Sequence, residues 1–188
     1  MAYLNKTTFF TSDLHFFHKN LLVKKFTKRH ELYGEDVNFM NLDLIKRWNS
    51  VVSPDCDVFN LGDIGFASKS KLLEVVSQLN GRIHLIKGNH DESFMHEFSN
   101  IVSVEDYAEI SVEGQKIVMS HYPFYKWNGC ARGTWCLHGH EHGNIDRDEH
   151  STTWKIKDVG IDSHPDYRPF SFGELVKIMD KRSINAHH

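Results

Sequence analysis

Short runs of β-branched and aromatic residues alternate with polar, glycine-punctuated loops through the first half of the chain, and each run stops at a polar pair. Residues 7–11 are β-prone and give way to Ser12-Asp13-Leu14-His15. Residues 58–61 run into Gly62-Asp63, and residues 83–86 into Lys87-Gly88-Asn89-His90-Asp91. The intervening stretches carry helical spacing. A short helix is expected over about residues 19–26. A longer one is expected from about Asn41, where Leu42, Ile45, Trp48 and Val52 share a face, up to the stop at Ser53-Pro54-Asp55. Ser70 suits the cap of a third, running through Leu79 with Asn80-Gly81 as its stop. Strand, loop and helix in repetition predict parallel strands with ligands bound beyond their carboxyl ends.

The second half changes character. Residues 108–112 and 115–120 flank Glu113-Gly114 and read as a hairpin whose second strand ends at His121. Residues 134–137 form another β-prone run, ending in His138-Gly139-His140-Glu141-His142, and residues 155–159 suggest a further strand. Ser171 with Glu174 makes a capping box for a final helix through about Lys181. With no linker, repeat or low-complexity stretch, residues 1–188 are expected to form a single domain.

Composition narrows the function classes. Hydrophobic residues are 40% and charged residues 25%, values of an ordinary globular chain. The formal net charge of −3 gives no global basic field, so nucleic-acid binding is unsupported, and attraction for an anion must be local. Cys56, Cys130 and Cys136 are sparse and odd in number, which favours free thiols in a reducing compartment. The start of the chain does not read as a signal peptide, and no apolar run approaches the ~20 residues that span a bilayer. The expectation is a cytoplasmic protein without a membrane partner.

The chain has 14 histidines, and their placement is uneven. Some are scattered, among them His30, His84, His96, His150, His164, His187 and His188. Others stand in short ordered blocks: Asp13-x-His15, Gly62-Asp63, Gly88-Asn89-His90-Asp91, the strand-end His121, and Gly139-His140-x-His142. A two-metal hydrolytic centre needs one carboxylate able to bridge and His, Asp and Asn around it, with ions about 3.5–4 Å apart. Each block alone reads as easily as a turn or surface loop. All five in order read as ligands.

The ordered blocks resemble the calcineurin-like metallophosphoesterase superfamily, and the opening Asp13-Leu14-His15-Phe16-Phe17-His18 is similar to its small bacterial and phage-type members. Many of those carry glycine where this chain has Phe17. The resemblance implies a four-layer α/β sandwich, two mixed β-sheets flanked by helices. It implies one metal held by Asp13, His15 and His142, another by Asn89, His121 and His140, and Asp63 bridging them. His90 would be the catalytic histidine that protonates the leaving oxygen, and Asp91 would orient it by hydrogen bonding. The activity implied is hydrolysis of a phosphomonoester or phosphodiester by a metal-bridging hydroxide. Two divalent cations bring about +4 and two ligand carboxylates return about −2, leaving net positive charge for a phosphate. Four imidazoles suit Mn²⁺, Fe, Co²⁺, Ni²⁺ or Zn²⁺ better than Mg²⁺.

Other readings compete for some of these residues. A zinc site on Cys130 and Cys136 has wide spacing and leaves Asp13, Asp63 and Asn89 unexplained. An inactive interaction module of the same fold is at odds with an intact set of motif residues. A nuclease needs a route for a polymer, and Lys24, Lys25, Lys28 and Arg29 read most simply as a solvated helix end. His18 lies near the site in sequence, His138 is expected to be buried, and Tyr122, Tyr125, Lys126 and Arg132 are candidates for contact with the leaving group. The substrate expected is a small phosphate ester or nucleotide.

Overall fold

In the computed structural model, which describes residues 3–4, 7–144 and 154–184, the polar stops after successive strands lie along one edge of the molecule. His150, His187 and His188 lie outside the described residues. Two mixed five-stranded sheets are present. One contains, in spatial order, β10 (Phe170–Ser171), β2 (Thr8–Thr11), β3 (Asp57–Asn60), β4 (Arg82–Ile86) and β5 (Ile101–Glu105). The other contains β1 (Tyr3–Leu4), β6 (Ala108–Val112), β7 (Gln115–Met119), β8 (Trp135–His138) and β9 (Ile156–Asp158). Strands β2 to β5 are parallel, as are β7 to β9, so the carboxyl ends within each set face one way.

Side-chain alternation divides each central strand between two cores. Phe9, Val58, Ile83 and Leu85 face a cluster with Leu44, Trp48, Leu72 and Val76, from helices α3 (Val37–Asn49) and α4 (Lys69–Val76). Phe10, Phe59 and Ile86 face the other sheet, meeting Ile117, Met119, Trp135 and Leu137. Burial on both faces explains why these strands read as apolar runs rather than as strict alternation. Each such side chain contributes about 1.5–3 kcal/mol on burial. The last helix, α5 (Phe172–Met179), adds Phe172, Leu175 and Met179 to the inter-sheet core, and its Ser171–Glu174 capping box is formed.

The hairpin runs as its sequence predicts, with Glu113 and Gly114 at φ 49° and 88°, the left-handed pair that a two-residue turn requires. Two departures have local causes. Helix α3 begins at Val37, ahead of the expected Asn41, because Asp36 caps it by accepting from the backbone N–H groups of Asn38 and Phe39. Helix α1 (Lys19–Val23) fills the first part of the span expected over residues 19–26, a second short helix, α2 (Arg29–Tyr33), follows where none was expected, and Arg29 is not a solvated helix end. It is fully buried.

Candidate metal centre

Six strands deliver polar side chains to the same edge. After β2 come Asp13 and His15, after β3 Asp63, and after β4 Asn89, His90 and Asp91. After β7 comes His121, after β8 His140 and His142, and after β9 Asp162. The chain closes this edge tightly. Gly62 sits at φ 103°, and a Cβ there would stand 2.4 Å from the backbone nitrogen of Gly88, so the loops after β3 and β4 approach as only glycine permits.

Two groups of donor atoms converge. Asp13, His15 and His142 form one, and Asp63, His121 and His140 the other, with the donor atoms of each within 4.8 Å of one another. His15 Nε2 faces His142 Nε2 at 3.2 Å, and His140 Nδ1 faces His121 Nε2 at 3.2 Å. Asn89 Oδ1 lies 3.1 Å from the same His121 nitrogen, so Asn89 joins the second group. Asp63 Oδ2 lies between the two, 3.8 Å from His15 Nε2 and 3.6 Å from His121 Nε2. All seven motif side chains are thus brought together.

Neighbouring groups fix which ring nitrogen looks inward. His121 Nδ1 donates to the Leu61 carbonyl at 2.7 Å, and His142 Nδ1 meets Asp162 Oδ2 at 2.7 Å, leaving each Nε2 aimed at the centre. Asp162 is held by Arg29, whose Nε and Nη2 reach its two oxygens at 2.8 and 2.6 Å. The same guanidinium donates to the carbonyls of Leu14 and Asp13. One buried arginine therefore ties the loops after β2 and β9. Asp158 does the same for the His142 loop, accepting from the N–H groups of Gly143 and Gly160.

The electrostatics call for a cation. Asp13 is fully buried, its Oδ1 has no hydrogen-bond partner among the described residues, and Asp63 and Asp158 are near. Burial, with repulsion from those two carboxylates, pushes its pKa up to about 8 against the pull of His142. Burial also holds His15 and His121 below the ordinary histidine range, keeping the lone pairs that coordination needs. His142 is lifted despite its burial, because it lies between Asp162 and Asp13. Five of the seven side chains, Asp13, His15, Asp63, His140 and His142, stand on backbone at φ between 49° and 71°. Left-handed backbone in non-glycine residues persists where surrounding contacts over-determine it, and it clusters at working sites.

Some expectations are corrected here. Asp91 does not orient the His90 ring: its two oxygens are taken by the backbone N–H groups of Gly88, Asp63 and Ile64, so it braces the loop that carries Asp63. Arg132 stands near the start of β8, at the end of the sheet opposite the centre. Tyr122 does reach the site, its hydroxyl 3.2 Å from Asn89 Oδ1. His138 is buried and donates to the Gly139 carbonyl. Cys130 and Cys136 pack in an apolar cluster with Trp127 and Ile156, and burial lifts the Cys136 thiol to about 12, which disfavours a thiolate zinc ligand. Phe17 sits at φ 64°, a left-handed conformation that glycine adopts more readily than phenylalanine.

Sequence reasoning missed Arg29, Asp162, Asp158 and Phe66. Phe66 lies against His18 and His90, with ring centroids 4.1 and 4.2 Å away. It also walls a cavity of about 650 Å³ between α3 and α4. Asp162 follows a strand as the motif residues do, which was a usable signal. Arg29 carried none.

The substitution Arg29→Ala is expected to destabilise the metal-free protein by about 3–5 kcal/mol, because it leaves Asp162 buried without its partner. Urea unfolding in the presence of chelator measures this. A loss within about 0.5 kcal/mol, the range of an ordinary surface change, would remove Arg29 from the framework of the site.

The family described as calcineurin-like phosphoesterase matches residues 6–179. An uncharacterized protein of Methanocaldococcus jannaschii is 31% identical over 176 residues, covering 92% of this chain and 91% of that protein. The gene 66 protein of Mycobacterium phage L5 is 28% identical over 187 residues, covering 83% and 86%. A solved structure from Aquifex aeolicus, of a protein of unknown function, superposes with a TM-score of 0.70 at 23% identity, covering 91% of this chain and 98% of that one, which bears on fold alone.

Proposed function

The chain belongs to the calcineurin-like phosphoesterase family, and from that membership we propose that it hydrolyses small phosphate esters with a pair of divalent transition-metal ions. The observation that carries this reading is the position of Asp63 Oδ2, shared at 3.8 and 3.6 Å between the inward nitrogens of the two groups. One ion would be held by Asp13, His15 and His142, the other by Asn89, His121 and His140, with Asp63 common to both. Such a pair supplies charge neutralisation for the phosphate and activates water near neutral pH. Four imidazoles in the set favour Mn²⁺, Fe, Co²⁺, Ni²⁺ or Zn²⁺.

The chain's own residues perform the rest. Asp63 is fixed in rotation because its Oδ1 accepts the His90 backbone N–H at 3.0 Å. Asp162 and the Leu61 carbonyl hold the tautomers of His142 and His121. His90 is exposed at the rim, with its ring against Phe66, and donates the proton to the departing oxygen. Phe66, which touches the His90 ring, also walls the cavity between α3 and α4, and a leaving group would find room on that flank. No helix among the described residues is long and apolar enough to cross a membrane.

The test is to strip the protein with chelator, restore Mn²⁺, Zn²⁺ or Mg²⁺ separately, and follow p-nitrophenyl phosphate and its bis ester. Hydrolysis that disappears with the metal and returns with Mn²⁺ is expected. Silence on both esters with every metal would overturn the reading.

A further inference from the structure

The site has a second cavity on its other flank, about 420 Å³ in volume. His142 is part of both the first donor group and this cavity's wall, so the two are contiguous. The rest of the wall includes Lys25, Phe26, Lys28, His30 and Tyr167. Lys25 and Lys28 are exposed, and neither forms a salt bridge with a described residue. Asp162 also borders the space, but its oxygens are committed to Arg29 and His142, so it offers little net repulsion to an anion. His30 Nδ1 donates to the Thr27 carbonyl, which turns its other nitrogen away from that carbonyl.

Two further features separate this cavity from a lysine-bearing surface. Lys25 and Tyr167 both stand on left-handed backbone, at φ 54° and 48°. Besides the hairpin residue Glu113, the other non-glycine positions of this kind among the described residues are Phe17 and the five at the metal centre. The strain thus extends from the centre into this wall. Phe26 is a large apolar side chain left 61% exposed, with Lys24 Nζ 5.9 Å from its ring centroid. An aromatic face among lysines is a platform for a base beside a phosphate.

We infer that this cavity receives a second phosphate group of the substrate, covalently linked to the ester that the metal centre hydrolyses. The ligand class is a nucleotide carrying two phosphates, whether a free bisphosphate or a strand in which the second phosphate is the next diester. Lys25 and Lys28 would pair with that phosphate, and Phe26 would stack on a base. The inference rests on the proposed phosphoesterase activity and deepens it. It also gives the basic cluster a role that its sequence did not suggest.

The discriminating measurement uses the Mn²⁺-loaded full chain and a matched pair of substrates, thymidine 5′-(p-nitrophenyl phosphate) with and without a 3′-phosphate. The scissile group is the same in both. The 3′-phosphate is expected to raise kcat/KM about tenfold or more, and the double variant Lys25→Gln with Lys28→Gln to bring the ratio of the two substrates close to one. An equal rate for the pair in the unaltered protein, or an unchanged ratio in the double variant, would overturn the inference while leaving the phosphoesterase reading standing. Calorimetric binding of adenosine 3′,5′-bisphosphate to the chelator-stripped full chain gives a readout without turnover, and at least tenfold weakening in the double variant is expected. Undiminished affinity there also counts against the cavity. A trinucleotide blocked at both ends separates the sources: cleavage at rates matching the bisphosphate indicates a strand, and resistance indicates a free bisphosphate.

Discussion

Replacing Asp63 by Asn is expected to lower metal content and to reduce kcat by about a thousandfold or more, the upper range seen for loss of a single preorganised electrostatic group. The substitution is nearly isosteric, so its effect can be assigned. The amide oxygen of Asn can still accept the His90 backbone N–H that Asp63 Oδ1 now takes at 3.0 Å, which preserves the loop. What changes is the other position, Oδ2, which faces His15 and His121. There an amide presents donors in place of a negative charge, and two cations lose the anion they would share. The metal-free protein should not suffer. Asp63 is one of the charges that push Asp13 upward, so removing it relieves repulsion in the buried cluster. The expected signature is therefore a metal-free melting temperature that is unchanged or higher, with the Mn²⁺-induced rise largely gone. Saturating a site at about 100 Kd stabilises a protein by about 2.7 kcal/mol, so loss of that rise is readily measured. Full metal occupancy by elemental analysis, with the rate retained, would remove Asp63 from the bridging role.

That signature depends on residues of two kinds, and only one kind was legible in the sequence. Asp13, Asp63, Asn89, His121 and His140 each follow an apolar run, and in a parallel sheet the carboxyl ends of such runs meet. Distance along the chain is therefore no obstacle to reading them. The sheets were legible for the same reason, down to the hairpin turn at Glu113 and Gly114. The supporting groups follow a different logic. Arg29 belongs to a five-residue helix and sits beside lysines, so its surroundings in sequence are those of a solvated end. Its burial comes from four hydrogen bonds to Asp162, Leu14 and Asp13, partners set by the folded loops rather than by spacing. Asp91 illustrates the converse. The family resemblance implied a pair with His90, but the close approach of Gly62 to Gly88 brings three backbone N–H groups within its reach first. A half-buried carboxylate with both oxygens on backbone donors is well satisfied where it stands.

The same geometry makes His90 separable from the ions. Its backbone N–H, not its ring, contacts Asp63, and that bond survives a change of side chain. The ring belongs to neither donor group, is exposed at the rim, and rests against Phe66 and, at 6.0 Å between centroids, His15. The substitution His90→Ala is accordingly expected to leave metal content at its normal value. General acid catalysis contributes typically 10²–10⁴-fold, and it matters only where the departing oxygen needs a proton. The rate on an alkyl phosphate ester should fall within that range, whereas p-nitrophenolate, stable as an anion, should lose far less. A series of aryl and alkyl esters measures this directly, since the dependence of log kcat on leaving-group basicity should steepen in the variant. A purely electrostatic histidine would instead lower every member of the series by the same factor and leave the slope as it was. Parallel lines for the two proteins, with metal content equal, would therefore assign His90 to binding of the phosphate rather than to proton transfer.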